Sequence, residues 1–420
     1  MIHISKLLQH YKREDIQNAI LEHSENREIA IKYGDKGFGK RPDILKYKRD
    51  ILEAAKQGAT SFHASEELWK DPLRVDTLMR KEELDELRIG WDLVLDIDSK
   101  DFEYSKICTY LLVNALKYHD VNCSVKFSGN KGFHIGVPFN SFPNEVNGIK
   151  TSILFPEGPR RIALYLREFI KKNLSKKILE LTDINQLKKK TGKKYEELVK
   201  NNEFDPYSVI DIDTILLSPR HLYRMPYCFN EKSGLISIPI DPNKVLEFQK
   251  DFELNFEHKF LANGRKNEAK NLLIHSFDYT QKEEEKKKES YEEYTGEAIP
   301  EQFFPPCIKK ILNGLKDGKK RALFILTNFL SCTGYSYDEI EKIAKEWNKK
   351  NNPPLRENYF IGQIRYFKTQ KKKVPPPNCN NMMYYKDIGI CFPNNLCNKI
   401  KNPVNYARRK TYYLNKEKNK

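Results

Sequence analysis

The hydrophobic pattern changes period several times along this chain, and each change marks an element. Residues 11–22 carry apolar side chains at helical spacing, whereas residues 91–97 and 124–127 have the short apolar runs of strands. Between those strands, KYHDVN reads as the end of a helix followed by a turn. From 160 to 203 the apolar spacing and the strong helix formers predict an inserted or flanking helical subdomain. Strand-like segments return at 209–217 and 234–240. The run QKEEEKKKESYEEY, from Gln281 to Tyr294, has almost no apolar side chain other than tyrosine, so it predicts a solvated helix or linker at a domain boundary. Residues 305–350 then read as consecutive amphipathic helices, and residues 374–406 are rich in Pro, Asn and Cys. The pattern predicts an α+β first domain over 1–262 with a helical insertion at about 160–203. A linker over 263–300, a mainly helical domain over 301–410 and a basic tail over 411–420 complete the expected order.

Composition narrows the class. At 420 residues the chain can bury two or three separate cores. Aromatic residues make up 12% of it, which argues against general disorder although 31% is charged. A formal net charge of +16 favours a polyanionic partner, most simply nucleic acid; the alternative is a lysine-rich composition without special meaning. No apolar run approaches the ~20 residues needed to span a bilayer. The start, MIHISKLLQHYKRED, lacks the apolar block of a signal peptide, so a cytoplasmic protein with no membrane partner is expected. Eight cysteines in such a chain are core residues or metal ligands rather than a disulfide framework.

Two carboxylates interrupt an otherwise interior-looking strand in LVLDIDS, Leu93 to Ser99. Residues two apart on a strand share a face, so Asp96 and Asp98 project together while Leu95 and Ile97 point into the core. Like charges so placed repel unless a cation lies between them, and oxygen ligands suit Mg²⁺ or Mn²⁺. VIDIDT repeats the pattern with Asp211 and Asp213, which suggests a carboxylate cluster for two-metal attack of a hydroxyl on an α-phosphate. Two solvated, unrelated acidic strands are the bland alternative.

Between the acidic strands lies KFSGNKGFHIGVPF, Lys126 to Phe139. Its glycines permit a tight turn with exposed backbone N–H groups, followed by Lys131 and His134: a phosphate-binding turn without Walker spacing, the alternative being an ordinary hairpin. Arg220, His221 and Arg224 follow the second acidic strand and supply cations for a triphosphate. Toward the end, Cys332 sits among apolar residues at helical spacing and is expected in the core. Cys307, Cys379, Cys391 and Cys397 are separated by 71, 11 and 5 residues and contain no C-x-x-C pair. That spacing favours an iron–sulfur cluster over zinc, with scattered buried thiols as a third option.

In this order the motifs resemble the catalytic small subunit of archaeo-eukaryotic replicative DNA primases: LVLDIDS the first motif, SGNKGFHI the second, VIDIDT with HLYRMPYCFNEKSGLISIPI the third. Weaker echoes are NREIAI around Arg27 and ATSFHASEELW at Ala59. The resemblance implies a primase catalytic domain with Asp96, Asp98 and Asp211 or Asp213 as metal ligands. It implies that Ser128, Gly129, Lys131, His134, Arg224 and Arg27 bind the incoming nucleotide. Residues 303–406, with FPPCIKKIL, KKRALFILTNFL and YFIGQIRYF, resemble the iron–sulfur C-terminal domain of the large subunit. That likeness implies a [4Fe-4S] cluster on Cys307, Cys379, Cys391 and Cys397, and makes Lys320, Arg321 and Arg365 candidates to hold the initiating nucleotide. Two departures stand out: Asn230 occupies the place of a usual histidine, and the interval between the first two motifs holds only Cys108 and Cys123, too few for a zinc knuckle. The expected protein is an archaeal-type single-chain primase making short primers on single-stranded DNA from nucleoside triphosphates. Its expected partners are that template, the RNA or DNA primer, and a replicative polymerase or helicase. A primase-polymerase with deoxynucleotide preference for repair or plasmid replication, or a non-catalytic single-strand-binding initiator, are the alternatives.

Overall fold

In a computed structural model the chain divides into two compact units, Met1–Lys286 and Lys287–Lys420. The structure describes residues 2–200, 202–212, 219–262, 264–288, 296–369 and 373–418. Asp213, one of the two possible third metal ligands, lies outside them.

Eight strands of the first unit position the site. They are β1 (Ile29–Lys32), β2 (Ser61–Ser65), β3 (Leu93–Ser99), β4 (Ser124–Phe127), β5 (Gly132–Val137), β6 (Ile210–Ile212), β7 (Leu222–Arg224) and β8 (Ile238–Ile240). A five-stranded sheet has the order β6-β3-β5-β4-β8, and a three-stranded sheet the order β1-β2-β7. All neighbours in both sheets pair antiparallel. The period-2 alternation of LVLDIDS sets the register: Leu95 and Ile97 are fully buried, while Asp96 is half-buried and Asp98 exposed on the opposite face. Beneath β3 to β5, Phe102 stacks on Phe133 at 5.3 Å between ring centroids, and Phe248 lies 5.2 Å from Phe127. The helix Phe102–Tyr118 covers this face with buried Cys108, Leu112 and Leu116.

The expected helical insertion is present as Glu157–Leu181, Ile184–Thr191 and Tyr195–Leu198. The single helix expected over 11–22 is instead two, Ile4–Tyr11 and Glu14–Ser24. Glu14 and Asp15 explain the restart, because acidic residues favour a helix's first turn. The strand expected over 234–240 is confined to Ile238–Ile240, since Gly234 takes φ +71° in a turn. The expected linker over 263–300 is also displaced at its start. Ala269, Leu272 and Leu273 are buried in the first unit's core, so that unit extends into the helix Lys270–Lys288. The expected basic tail continues a helix, Pro403–Lys418.

The second unit is helical as expected, with Pro306–Leu312, Lys319–Cys332, Tyr337–Lys349 and Glu357–Thr369 before that last helix. Ser336 and Glu339 form a capping box at the third of these, Glu339 Oε2 accepting from the Ser336 N–H at 2.8 Å. The same helix buries Ile340, Ala344 and Trp347, one stripe of a 3.6-residue period. Cys332 is buried in this core.

Gly132 opens β5, where a Cβ would fall 1.7 Å from the Ile97 carbonyl oxygen and 2.5 Å from Asp98 Oδ1. Gly132→Ala should therefore cost about 1–3 kcal/mol and lower the thermal midpoint by several degrees. Gly362→Ala, with nothing within 4 Å of the added methyl in a helix, should leave the midpoint unchanged or raise it. Calorimetry checks the pair; an unaltered Gly132→Ala melt would contradict this close approach.

Candidate active site

The pairing of three strands builds the acidic centre. Asp98 sits opposite Asp211 across β3 and β6, and Asp96 opposite His134 across β3 and β5. Lys126 on β4 continues that row, opposite His134. Because all these neighbours pair in register, Asp96, Asp98, His134 and Lys126 share one face of the sheet. That face lines a cavity of about 310 Å³, whose other wall includes Lys32, His63, Tyr223 and Arg224 from the three-stranded sheet.

Burial dominates the titration of this row. Asp98 is pushed above the usual carboxylate range, first by desolvation and then by Asp211, with Lys131 and Lys232 pulling the other way. His134 is driven well below the usual imidazole range by burial, then by Lys126 and Arg224, so it is a neutral ring at pH 7. Its Nε2 lies 3.4 Å from Asp96 Oδ1, and its buried Nδ1 has no hydrogen-bond partner among the described residues. Lys126 is brought down to about 7 by burial, with Asp96 opposing that fall, and its Nζ donates to Ser237 Oγ at 3.1 Å.

Ser128 and Asn130 line the same cavity at the turn between β4 and β5. Gly129 holds φ +91° there, and a Cβ would come within 2.9 Å of Asn230 Cβ. Arg224 donates to the Phe229 carbonyl and, through Nη2, to Glu231 Oε2 at 2.8 Å. Glu231 also accepts from Thr60 Oγ1 at 2.8 Å and Ser61 Oγ at 2.5 Å. Burial alone would raise its carboxyl, but Arg224 and the two hydroxyls hold it down to about 2. With the folded value below the ordinary 4.5, this pairing stabilises fully above that pH and is lost as pH falls toward 2. Asn230, standing where a histidine is usual, lines the cavity beside it.

Several residues expected here are elsewhere. Arg27 does not reach the cavity: it is buried, donating to Asp92 Oδ2 at 2.5 Å and to the Ser65 carbonyl at 2.9 Å. Arg220 is likewise structural, its fork closed on buried Glu28 at 2.6 and 2.9 Å. Both were drawn into internal ion pairs by carboxylates that sequence spacing does not connect to them. His221 does line the cavity, with Nδ1 2.9 Å from Glu66 Oε1. Lys131 is exposed and lines a neighbouring cavity beyond Asp98. Sequence reasoning missed Lys32, His63, Lys126 and Glu231. The alternation of SFHAS carried a weak signal for His63, but Glu231 depends on hydroxyls some 170 residues away and had none.

In the second unit, burial pushes the Cys307 thiol well up, followed by Cys379, Cys397 and Cys391. Cys379 is raised to about 11 by burial, then by Cys397 and Cys391. The four cysteines are thus gathered closely enough to act on one another. Among the described residues no three His, Cys, Asp or Glu side chains stand where they could hold a metal ion, in either unit. Arg321 donates to the Met383 carbonyl, Lys320 lies 4.5 Å over the Tyr359 ring, and Arg365 is exposed.

Residues 95–242 match the family profile described as DNA primase small subunit. Residues 297–415 match that of the C-terminal domain of the eukaryotic and archaeal DNA primase large subunit. The chain belongs to the archaeo-eukaryotic DNA primases, as one polypeptide fusing a small-subunit segment to the C-terminal domain of the large subunit. It is similar to the DNA primase large subunit PriL of Methanosarcina barkeri, 33% identical over 125 residues, 29% of this chain and 28% of that protein. Similarity to PriL of Methanococcoides burtonii is 27% over 147 residues, 34% and 38% of the two chains. The chain thus spans about a third of the length of these archaeal large subunits. An uncharacterized protein of Methanocaldococcus jannaschii, MJECS07, is 23% identical over 377 residues, 80% of this chain and 76% of the other. The polymerase domain of Mycobacterium tuberculosis ligase D, solved in complex with DNA, aligns at a TM-score of 0.38 and 13% identity over 58% of this chain and 82% of that one.

The buried Arg27–Asp92 pair gives a direct check on Arg27. Arg27→Met leaves Asp92 charged and buried, so denaturant unfolding should show a loss of about 3–5 kcal/mol. Nucleotide affinity per folded molecule should stay unchanged. Weakened nucleotide binding at unaltered stability would return Arg27 to the substrate.

Proposed function

We propose that this chain is a DNA primase that makes short primers de novo on single-stranded DNA by two-metal nucleotidyl transfer. The observation that carries the reading is the facing of Asp211 and Asp98 across adjacent strands, beside a cavity walled by Ser128, His134 and Arg224. Carboxylates so placed, with Asp98 pushed toward protonation by burial and by Asp211, fit a divalent cation. Asp96, Asp98 and Asp211 would be the ligands, and Mg²⁺ or Mn²⁺ bound there would acidify the attacking hydroxyl and offset charge on the departing pyrophosphate. The chain's own groups do the rest. Arg224, its fork preset by Glu231, and neutral His134 offer N–H donors to triphosphate oxygens, and the Ser128–Gly129 turn brings backbone close to them. The 3′-oxygen then bonds to the α-phosphorus as the α–β anhydride bond breaks. Its electron pair leaves on pyrophosphate, and the hydroxyl proton passes to solvent. In the second unit Cys307, Cys379, Cys391 and Cys397 would hold a [4Fe-4S] cluster, zinc being the competing occupant of four thiolates. Lys320, Arg321 and Arg365 would hold the initiating nucleotide's triphosphate there.

Asp96→Asn and Asp98→Asn should each lower synthesis on an unprimed single-stranded template on the order of a thousandfold, the several kcal/mol that metal binding supplies. Ribo- and deoxynucleotides are supplied separately with Mg²⁺ or Mn²⁺. Near wild-type synthesis by both variants would sink the two-metal reading, and template binding without synthesis by the wild type would leave only a binding protein.

The purified chain should be brown and carry about four irons, with Cys379→Ser losing most of them. Metal and sulfide analysis decides this; stoichiometric zinc without iron would replace the cluster while leaving the catalytic unit's role intact.

A further inference from the structure

A group of aromatic rings meets on the surface of the first unit, where the end of the helix Phe102–Tyr118 lies against the helices Glu157–Leu181 and Lys270–Lys288. Tyr118 and Phe169 are 5.4 Å apart between ring centroids, and Tyr165 and Tyr279 5.8 Å. His119 sits among them, 5.2 Å from Phe169, 5.5 Å from Tyr165 and 6.1 Å from His275. Its ring is fixed, with Nδ1 2.7 Å from the Ala115 carbonyl oxygen and Nε2 3.0 Å from the Tyr165 hydroxyl. The outer rings do not belong to the core: Tyr118 is 75% exposed and Phe169 42%, and His275 is exposed beside them. Contiguous exposed rings of this kind mark a surface that meets something.

Cations continue the row. On the helix Glu157–Leu181, Arg161, Tyr165, Phe169, Lys172 and Lys176 fall within about 80° of arc at 3.6 residues per turn, so rings and cations share one stripe. That helix carries seven Lys and Arg against three Glu, and each Glu already meets a cation: Glu157 with Arg161 at 2.6 Å, Glu168 with Lys171 at 3.8 Å, Glu180 with Lys176 at 3.9 Å. The remaining charge is positive. Tyr104, near the start of the helix Phe102–Tyr118, donates to Thr182 Oγ1 at 2.8 Å, while His119 at its end meets Tyr165, so the two helices run antiparallel. The stripe therefore leads from the rings back toward the end of the helix that follows Asp98. At a rise of 1.5 Å per residue, the 17 residues of that helix set the rings about 25 Å from its start.

A helix face built to dock on a protein presents aliphatic anchors, whereas this stripe presents rings and cations. A duplex hides the faces of its bases; an unpaired strand offers both base faces and phosphates. We infer that this stripe is a docking track for single-stranded nucleic acid, with bases stacking on Tyr118 and Phe169 and phosphates meeting Lys172 and Lys176. The inference deepens the primase reading by giving the unpaired template a hold remote from the acidic row, and it rests on that reading only in calling the strand a template. It also gives the helical insertion a task.

The test uses the full chain with Tyr118→Ala and Phe169→Ala together. Anisotropy of a labelled single-stranded oligodeoxynucleotide of mixed sequence should show affinity reduced at least tenfold, with an unchanged salt slope, because stacking releases no counterion. Lys172→Glu with Lys176→Glu should instead lower that slope by about 1.4, roughly 0.7 per lost phosphate contact. Tyr118→Trp should keep or raise the affinity, and the aromatic pair should leave binding of a blunt duplex unmoved. Tyr47→Ala removes another tyrosine, 60% exposed, and should stay within about twofold. If the double variant melts early, Tyr118→Ala alone carries the comparison and should cost about fivefold or more. A single-strand loss no larger than that of Tyr47→Ala, or equal losses on single strand and duplex, would overturn the assignment. So would dissociation of a wild-type dimer by the aromatic pair with affinity unmoved, which would give the face to a second copy of the chain. A wild type that binds single strands through this face yet adds no nucleotide would end the primase reading and leave the track standing.

Discussion

Everything in the first unit turns on the repulsion between Asp98 and Asp211, fixed opposite one another by antiparallel pairing. They stay neighbours as long as β3 keeps its register with β6, and desolvation raises Asp98 further. A sheet optimised for stability alone would place an apolar or opposite-charge pair there. The surrounding cations offset this energy partly: Lys131 and Lys232 pull Asp98 down, and Lys126 stays near Asp96 despite full burial. Under the proposed function a divalent cation would relieve what remains, and this register would then serve chemistry rather than architecture.

Keeping such a row in place requires a rigid frame, and two buried arginines and a half-buried one supply it. Arg27 closes on Asp92, Arg88 on Glu67 at 2.7 Å, and Arg220 on Glu28 at 2.6 Å, with every carboxylate at most 3% exposed. Two of the pairs also satisfy backbone groups: Asp92 accepts the Phe139 N–H, and Glu67 the Arg220 N–H. Desolvation consumes much of the Coulomb attraction in such pairs, so their value lies in geometry: a mispositioned partner is heavily penalised. Arg27 and Arg220 look like substrate ligands in sequence because the charge that neutralises them is distant along the chain.

The sequence made the local parts of the site legible. LVLDIDS displays its own two faces, and SGNKG displays its turn, because strand alternation and glycine conformation depend on neighbours only. The helical second unit was legible for the same reason: Ile340, Ala344 and Trp347 announce their stripe. What stayed hidden was tertiary. Glu231 takes its meaning from Thr60, Ser61 and Arg224, and Lys126 from its cross-strand neighbour His134. The start of the linker was misplaced because Ala269, Leu272 and Leu273, a short apolar group before a long charged run, pack back onto a core that composition cannot reveal.

The two cavities that Asp98 lines differ in how their cations are held. In the first, Arg224 has its fork fixed by Glu231 and the Phe229 carbonyl, so it can present the remaining N–H groups in one orientation. A triphosphate that must be aligned for attack gains from such presetting, because little freedom is left to lose on binding. In the second, Lys131 and Lys190 are exposed point charges on flexible stems. Mobile ammonium groups keep their rotamer freedom and meet an anion as point charges rather than as a fixed fork. A fixed fork on one side of Asp98 and point charges on flexible stems on the other leave a bound anion different freedom in each cavity.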